Sequence, residues 1–222
     1  MLDYGKKTYI MGILNVTPDS FSDGGDYTNI DIAVNHAKEM IELGADMIDL
    51  GGESTRPGHK FVSAEEEISR IVPVIKRLKE EINVPISIDT YKSEVAEEAL
   101  KLGVDMVNDV WGLTYDGKMA DVVAKYDGEV CIMHNQEGTD YDKDIMEAIK
   151  EFLQNSIDMA LKAGVKKEKI VLDPGIGFGK TYEQNIEVLE RLGELRDLGY
   201  PVLLGTSRKS VLGKILENST PK

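Results

Sequence analysis

The chain has 222 residues, and its 26 Lys and Arg stand against 40 Asp and Glu, a formal net charge of −14. That length suits one domain with a large core; a hydrophobic content of 41% excludes a disordered acidic tail, and no apolar run approaches the roughly 18 residues of a membrane span. The acidic balance also argues against nucleic acid or an anionic membrane as partner, because both are held by clustered Lys and Arg.

Short apolar runs alternate with segments of helical period from one end of the chain to the other. A first strand over 9–14 leads through a polar loop to a helix over 31–43. Strands over 47–50, 86–88 and 106–108 precede helices over 64–81, 93–102 and 119–126. Strands over 130–133, 170–172 and 202–204 precede helices over 144–163, 184–198 and 209–216. Gly44, Gly103, Gly164 and Gly199 fall where helix C-caps belong. With one cysteine, Cys131, no intrachain disulfide forms and no cysteine cluster holds zinc; mid-strand, its role is packing. The opening Met1-Leu2-Asp3-Tyr4 lacks the basic-then-apolar pattern of a secretory signal, so a cytoplasmic protein is expected.

Such alternation means a parallel sheet with crossover helices. Polar or glycine-rich residues follow nearly every strand: Asn15, Gly51-Gly52-Glu53, Asp89-Thr90, Asn108-Asp109, His134-Asn135, Asp173-Pro174-Gly175 and Gly205-Thr206-Ser207. A ring of polar strand ends is what a closed barrel needs, since its ligands sit at the C-terminal mouth; a doubly wound sheet would gather them at one switch point. The expectation is an α/β fold of the (β/α)8 TIM-barrel type, one domain over residues 1–222. Seven βα units are visible, and the eighth, about 30 residues, is expected to be missing.

The stretch from Met11-Gly12-Ile13-Leu14-Asn15 through Val16-Thr17-Pro18-Asp19-Ser20-Phe21-Ser22-Asp23-Gly24-Gly25 reads as a strand running into a polar lid, or as an ordinary surface turn. Asp89, Asn108 and Asp173 each end a different strand and can converge; singly, each could equally be a turn residue or a helix cap. The motifs closely resemble those of the dihydropteroate synthase family: the stretch just quoted, Gly51-Gly52-Glu53-Ser54-Thr55-Arg56-Pro57-Gly58, Ser87-Ile88-Asp89-Thr90, Asn108-Asp109-Val110, Met133-His134, Asp173-Pro174-Gly175-Ile176-Gly177-Phe178-Gly179 and Gly205-Thr206-Ser207-Arg208-Lys209-Ser210. Several long motifs in order, each at a strand end, are far more specific than any one alone.

The resemblance implies a Mg2+-using barrel enzyme of folate synthesis. It would join 6-hydroxymethyl-7,8-dihydropterin diphosphate to p-aminobenzoate, and sulfonamides would compete for the p-aminobenzoate site. Carried over residue by residue, it assigns pterin binding to Asp89, Asn108, Asp173, Phe178 and Lys209, with Asp89 stabilising a pterin cation. Asn15 supplies an oxygen to the metal, Asp23 acts nearby through loop closure, and Thr55 and Arg56 meet the anion or reacting centre. Phe21 and Pro57 sandwich the benzoate ring, and Ser207, Arg208 and Ser210 at the seventh helix meet its carboxylate. Asp89, Lys209 and Arg56 are the catalytic candidates. The implied partners are small molecules, and the family's habit implies a homodimer.

Other signals are discounted. Gly175 to Thr181 superficially looks like a phosphate-binding loop but lacks the Gly-x4-Gly-Lys-Ser/Thr spacing. His36, His59 and His134 form no metal pattern, Trp111 reads as packing under a loop, and Glu65-Glu66-Glu67 reads as a solvated first helical turn. The chain also departs from the family pattern. An Arg-x-His pair expected at an eighth strand has no counterpart, the loop Asn135 to Asp140 differs from the usual Met-x-Gly-Thr-Pro, and a short lead-in is expected to leave the barrel floor less covered. The alternatives are a pterin-binding barrel without turnover and a methyltetrahydrofolate methyltransferase, the latter disfavoured by the Ser-Thr-Arg-Pro-Gly and Ser-Arg-Lys motifs.

Overall fold

Among the described residues six parallel strands pair strictly in chain order: β1 (Met11–Asn15), β2 (Met47–Gly51), β3 (Ile86–Asp89), β4 (Met106–Asp109), β5 (Glu129–Met133) and β6 (Ile170–Asp173). This is a computed structural model, and it describes residues 2–16, 26–53 and 61–216. Between and after the strands run α1 (Asp26–Glu42), α2 (Ala64–Glu81), α3 (Ser93–Lys101), α4 (Met119–Lys125), α5 (Ile145–Ala163), α6 (Tyr182–Glu190) and α7 (Ser210–Ile215). Among the described residues no helix is long and apolar enough to cross a membrane.

Local chemistry sets the helix ends. Ser63 Oγ accepts Glu66 N–H at 3.2 Å to start α2, Asp144 accepts Met146 and Glu147 N–H to start α5, and Thr181 with Gln184 makes a reciprocal capping box at α6. Gly44, Gly103, Gly164 and Gly199 all take positive φ, as expected for residues that reverse the chain after a helix. The helix expected over 184–198 divides after Glu190, and a 3-10 turn over Leu192–Leu198 follows. Gly193 lies in that second half and weakens the α form.

The strand expected over 202–204 is reduced to one parallel bridge, Val202 with Leu172. Leu172 N–H donates to Pro201 O at 2.9 Å and Leu203 N–H to Leu172 O at 2.8 Å. The next bond of a parallel ladder would come from residue 174, which is proline and has no N–H to give.

The period-two alternation of each strand makes two cores. Outward residues such as Leu14, Ile48, Leu50, Ile88, Val107, Ile132 and Leu172 pack with the helix stripe Ile71, Val74, Ile75, Leu78 and its counterparts. Inward residues Met47, Met106, Cys131 and Val171 form a smaller cluster with Met11 and Leu203, and Leu2 and Tyr4 pack against it from outside the strands. Tyr4 OH also donates to Glu129 Oε2 at 2.7 Å. The short lead-in therefore packs two side chains, Leu2 and Tyr4, against the floor. Cys131 is buried, as packing requires. On β1, inward Ile13 remains 53% exposed, and among the described residues β1 pairs with β2 alone.

Candidate functional site

Above the apolar floor the inward face turns polar. Asn15 stands opposite Gly51 in register, Gly51 opposite Asp89, and Asp89 opposite Asn108; Asp173 ends β6 opposite Met133. Two glycines leave this ring open. A Cβ on Gly51 would lie 3.1 Å from Asn15 Oδ1 and 3.8 Å from Asp89 Cβ, and one on Gly205 would lie 3.5 Å from Asp173 Oδ2.

One layer down, Asn108 Nδ2 donates to Asp49 Oδ2 at 3.1 Å. Burial pushes the Asp49 carboxyl above its ordinary range, and Ser87 and Asn108 oppose that. The sequence reading passed over Asp49. Its signal was the alternation itself, which puts a carboxylate on the inward face with Met47 and Gly51.

Asp173 is buried, and its Oδ1 accepts Gly175 N–H at 2.7 Å. Burial raises its carboxyl to about 6, against the pull of that N–H, Lys209 and Lys180. Lys209 lies along Gly177, whose added Cβ would meet Lys209 Cδ at 3.1 Å, and its ammonium sits 4.1 Å from the Phe178 ring centre. Phe178 itself packs with Tyr91, Val110, Met133 and Trp111. Asp89, Asn108, Asp173, Phe178, Lys209 and Asn15 thus gather at one end of the sheet, as expected.

Ser207 and Arg208 stand exposed on a turn closed by Lys209 N–H to Thr206 O at 3.2 Å, and Arg208 holds a φ of 55°. Helix α7 begins at Ser210 with Lys209 as its N-cap, so Ser207 and Arg208 precede it. Phe21, Asp23, Thr55, Arg56 and Pro57 lie outside the described residues.

Behind the second motif is a buried ionic cluster. Lys92 bonds Glu53 and, at 2.5 Å, Glu67 Oε2; Tyr91 OH donates to Glu53 at 3.2 Å, and Val62 N–H donates to Glu53 Oε1 at 3.0 Å. Burial would raise Glu53, but Lys92 and the Val62 N–H bring it below its ordinary value; for Glu67 burial prevails and the carboxyl is raised. The solvated acidic turn expected at 65–67 is therefore right for Glu65 and Glu66 and wrong for Glu67, which points inward to pair with Lys92. A local pattern cannot show a partner 25 residues away.

The loops after β5 and β6 are stitched together. Tyr141 OH donates to Gly179 O at 2.8 Å, Gln184 Nε2 to Thr139 O at 2.9 Å, and Lys180 Nζ to His134 Nδ1 at 2.9 Å. Lys180 turns into the protein, so the phosphate-loop likeness is rightly discounted. Burial and Lys180 hold the His134 imidazole neutral, its pKa down at about 3. Among the described residues no three His, Cys, Asp or Glu side chains group to hold a metal ion.

The chain matches the family described as pterin binding enzyme over residues 11–222. It is 59% identical over 212 residues to the dihydropteroate synthase of Clostridium beijerinckii, covering 96% of this chain and 78% of that one. Its fold matches the crystal structure of a dihydropteroate synthase from Clostridium difficile solved in the presence of pteroic acid, with a TM-score of 0.97 and 72% identity over 99% of this chain and 84% of that one. The Xanthomonas albilineans dihydropteroate synthase solved with 4-aminobenzoic acid gives a TM-score of 0.91 and 42% identity over 96% of this chain and 78% of that one.

Proposed function

The chain belongs to the dihydropteroate synthases, transferases of the pterin-binding enzyme family, and from that premise we propose which of its residues carry the chemistry. The reaction condenses 6-hydroxymethyl-7,8-dihydropterin diphosphate with p-aminobenzoate to give 7,8-dihydropteroate and pyrophosphate. The observation that carries the reading is the convergence of Asp89, Asn108, Asp173 and the Lys209–Phe178 pair above an apolar floor. A pterin offers a guanidine-like edge of donors beside ring acceptors. Two carboxylates and an amide answer the donors, and an ammonium answers an acceptor. Phe178 gives Lys209 an aromatic face, and Asp173 lies within its field.

The C–O bond between the exocyclic methylene and the diphosphate breaks first, because the electron-rich dihydropterin delocalises the positive charge left on carbon. Asp89 stabilises that cation, the amine of p-aminobenzoate then forms the C–N bond, and its proton is lost to water or to the departing diphosphate. Thr55 and Arg56 meet the diphosphate. Phe21 and Pro57 flank the benzoate ring, while Ser207 and Arg208 on the turn before α7 and Ser210, its first residue, take its carboxylate. Asp23 acts near Asn15 as the first loop closes.

Mg2+ fits the residues present. Asn15 Oδ1 is a hard oxygen donor on an exposed residue, beside the space that Gly51 leaves open, and Mg2+ keeps waters and phosphate oxygens with few protein ligands. When bound it supplies positive charge to the leaving diphosphate. A cytoplasmic setting accords with the lone buried thiol, and a homodimer with family habit. A sulfonamide, sharing the shape of p-aminobenzoate, competes with it.

Purified protein should bind a pterin, and Asp89→Ala and Lys209→Ala should each weaken that binding about a hundredfold while circular dichroism shows the fold kept. Equal binding by both variants would put the pterin elsewhere.

A further inference from the structure

Lys180 ends the loop that leaves β6, and its side chain turns back into the protein. It is only 9% exposed. Its Nζ donates to Gly175 O at 2.9 Å, Phe178 O at 3.0 Å and His134 Nδ1 at 2.9 Å. Three acceptors match the three hydrogens of the protonated amine, whose pKa burial lowers to about 7 against the pull of Asp173. Because His134 accepts at Nδ1, its own ring proton sits on Nε2.

Ile176 packs this loop into the main core and Phe178 packs it against Tyr91, Val110 and Met133, but the path between and after those two anchors is set by glycines. Gly175, Gly177 and Gly179 all take positive φ, at 71°, 83° and 55°. Each is pressed on a neighbour: an added Cβ would come 1.9 Å from His134 O, 3.1 Å from Lys209 Cδ and 2.7 Å from Gln136 O respectively. Glycine permits such a path but brings no side chain to hold it. Further hydrogen bonds run from Phe178 N–H to Gly175 O at 3.1 Å, Gly177 N–H to Asn185 Oδ1 at 2.7 Å, Tyr141 OH to Gly179 O at 2.8 Å and Asn185 Nδ2 to Lys180 O at 3.3 Å, each reaching a single carbonyl or amide. Lys180 grips the loop at two carbonyls and joins both to the end of β5.

Two binding groups depend on this loop. Gly175 N–H is bonded to the Asp173 carboxylate, and Phe178 carries the ring beneath the Lys209 ammonium. We propose that Lys180 is a positioning residue for pterin recognition: by tying the Gly175 and Phe178 carbonyls to His134, it fixes the Asp173 carboxylate and the Phe178–Lys209 pair in their binding geometry. This rests on the pterin reading of the site. Lys180 acts through the loop and does not touch the substrate.

Lys180→Met keeps the aliphatic stem and removes the donors, and His134→Leu removes one acceptor of three. Hydrogen exchange at the Gly175, Gly177 and Phe178 amides reads the loop itself. A titration with 6-hydroxymethylpterin, and KM against kcat for the pterin diphosphate, read its consequence. Lys180→Met should speed exchange at those amides at least tenfold, and raise the pterin Kd and KM tenfold or more with kcat within threefold. A general loss of folded protein would lower kcat instead. His134→Leu should move the same quantities about threefold, and it carries the test if Lys180→Met does not fold. Unchanged exchange at those amides, or faster exchange with an unchanged pterin Kd, would overturn the role given to Lys180. Absence of pterin binding by the wild-type protein would instead overturn the reading of the site.

Discussion

Lys92 Nζ lies 2.5 Å from Glu67 Oε2, and their side chains are only 5% and 1% exposed. With Glu53 on its other side, one ammonium compensates two enclosed carboxylates, joining the end of β2, the first turn of α2 and the start of α3. Lys92→Met would leave two like charges buried without their cation. It should cost about 3–5 kcal/mol, and adding Glu67→Leu should recover part of that. Urea unfolding at neutral pH measures both; a loss below about 1 kcal/mol for the single variant would show the cluster to be incidental.

His134 gives stability a defined pH dependence. Its pKa is about 3 when folded, lowered first by burial and then by Lys180, against about 6.5 when unfolded. Between those values the unfolded chain holds the extra proton, so the contribution of the neutral ring is present above 6.5 and is lost as pH falls toward 3. Asp109 and Asp173, both raised to about 6 by burial, act in the opposite sense between about 3.8 and 6. Being common to both proteins, they cancel when wild type is compared with His134→Gln. The stability difference should then change by about 1.4 kcal/mol per pH unit from 6.5 to 4; a flat difference would mean that the ring titrates normally in the fold.

Asp49 should matter to pterin affinity without reaching the ligand. It receives the Asn108 amide N–H at 3.1 Å, which turns the amide oxygen the other way. Asp49→Asn offers a donor where Asn108 needs an acceptor and lets the amide reverse. The pterin Kd should rise about tenfold, the value of roughly one hydrogen bond, with the thermal midpoint nearly unchanged. An unaltered Kd would exclude this second layer from recognition.

Two glycines of similar φ should respond very differently to alanine. Gly138, at 74°, has nothing within 4 Å of an added Cβ, whereas on Gly175, at 71°, that atom would stand 1.9 Å from His134 O. Gly138→Ala should cost about 1 kcal/mol, the left-handed penalty alone. Gly175→Ala must also displace backbone and should cost well over that, along with pterin binding. Thermal unfolding of the two variants decides it, and equal costs would contradict the packing.

The βα alternation, the helix-ending glycines and the ring of strand-end polar residues are all legible in the sequence, because each is set by local pattern. Glu67, Lys92 and Lys180 are not, since their roles come from partners brought near only by folding: Glu67 sits among exposed acids in the chain and Lys180 resembles part of a phosphate loop. Asp49 was readable from strand alternation but is hidden by its apolar neighbours. The shortening of the seventh strand traces to Pro174, whose effect appears only once residues 202–204 are laid against β6.

The most direct test is turnover by the 222-residue chain itself. Supplied with 6-hydroxymethyl-7,8-dihydropterin diphosphate, p-aminobenzoate and Mg2+, it should form 7,8-dihydropteroate and pyrophosphate in equal amounts, and Lys209→Ala should reduce the rate by at least about a hundredfold. Pterin binding without product, or a Lys209→Ala variant as fast as wild type, would contradict the account.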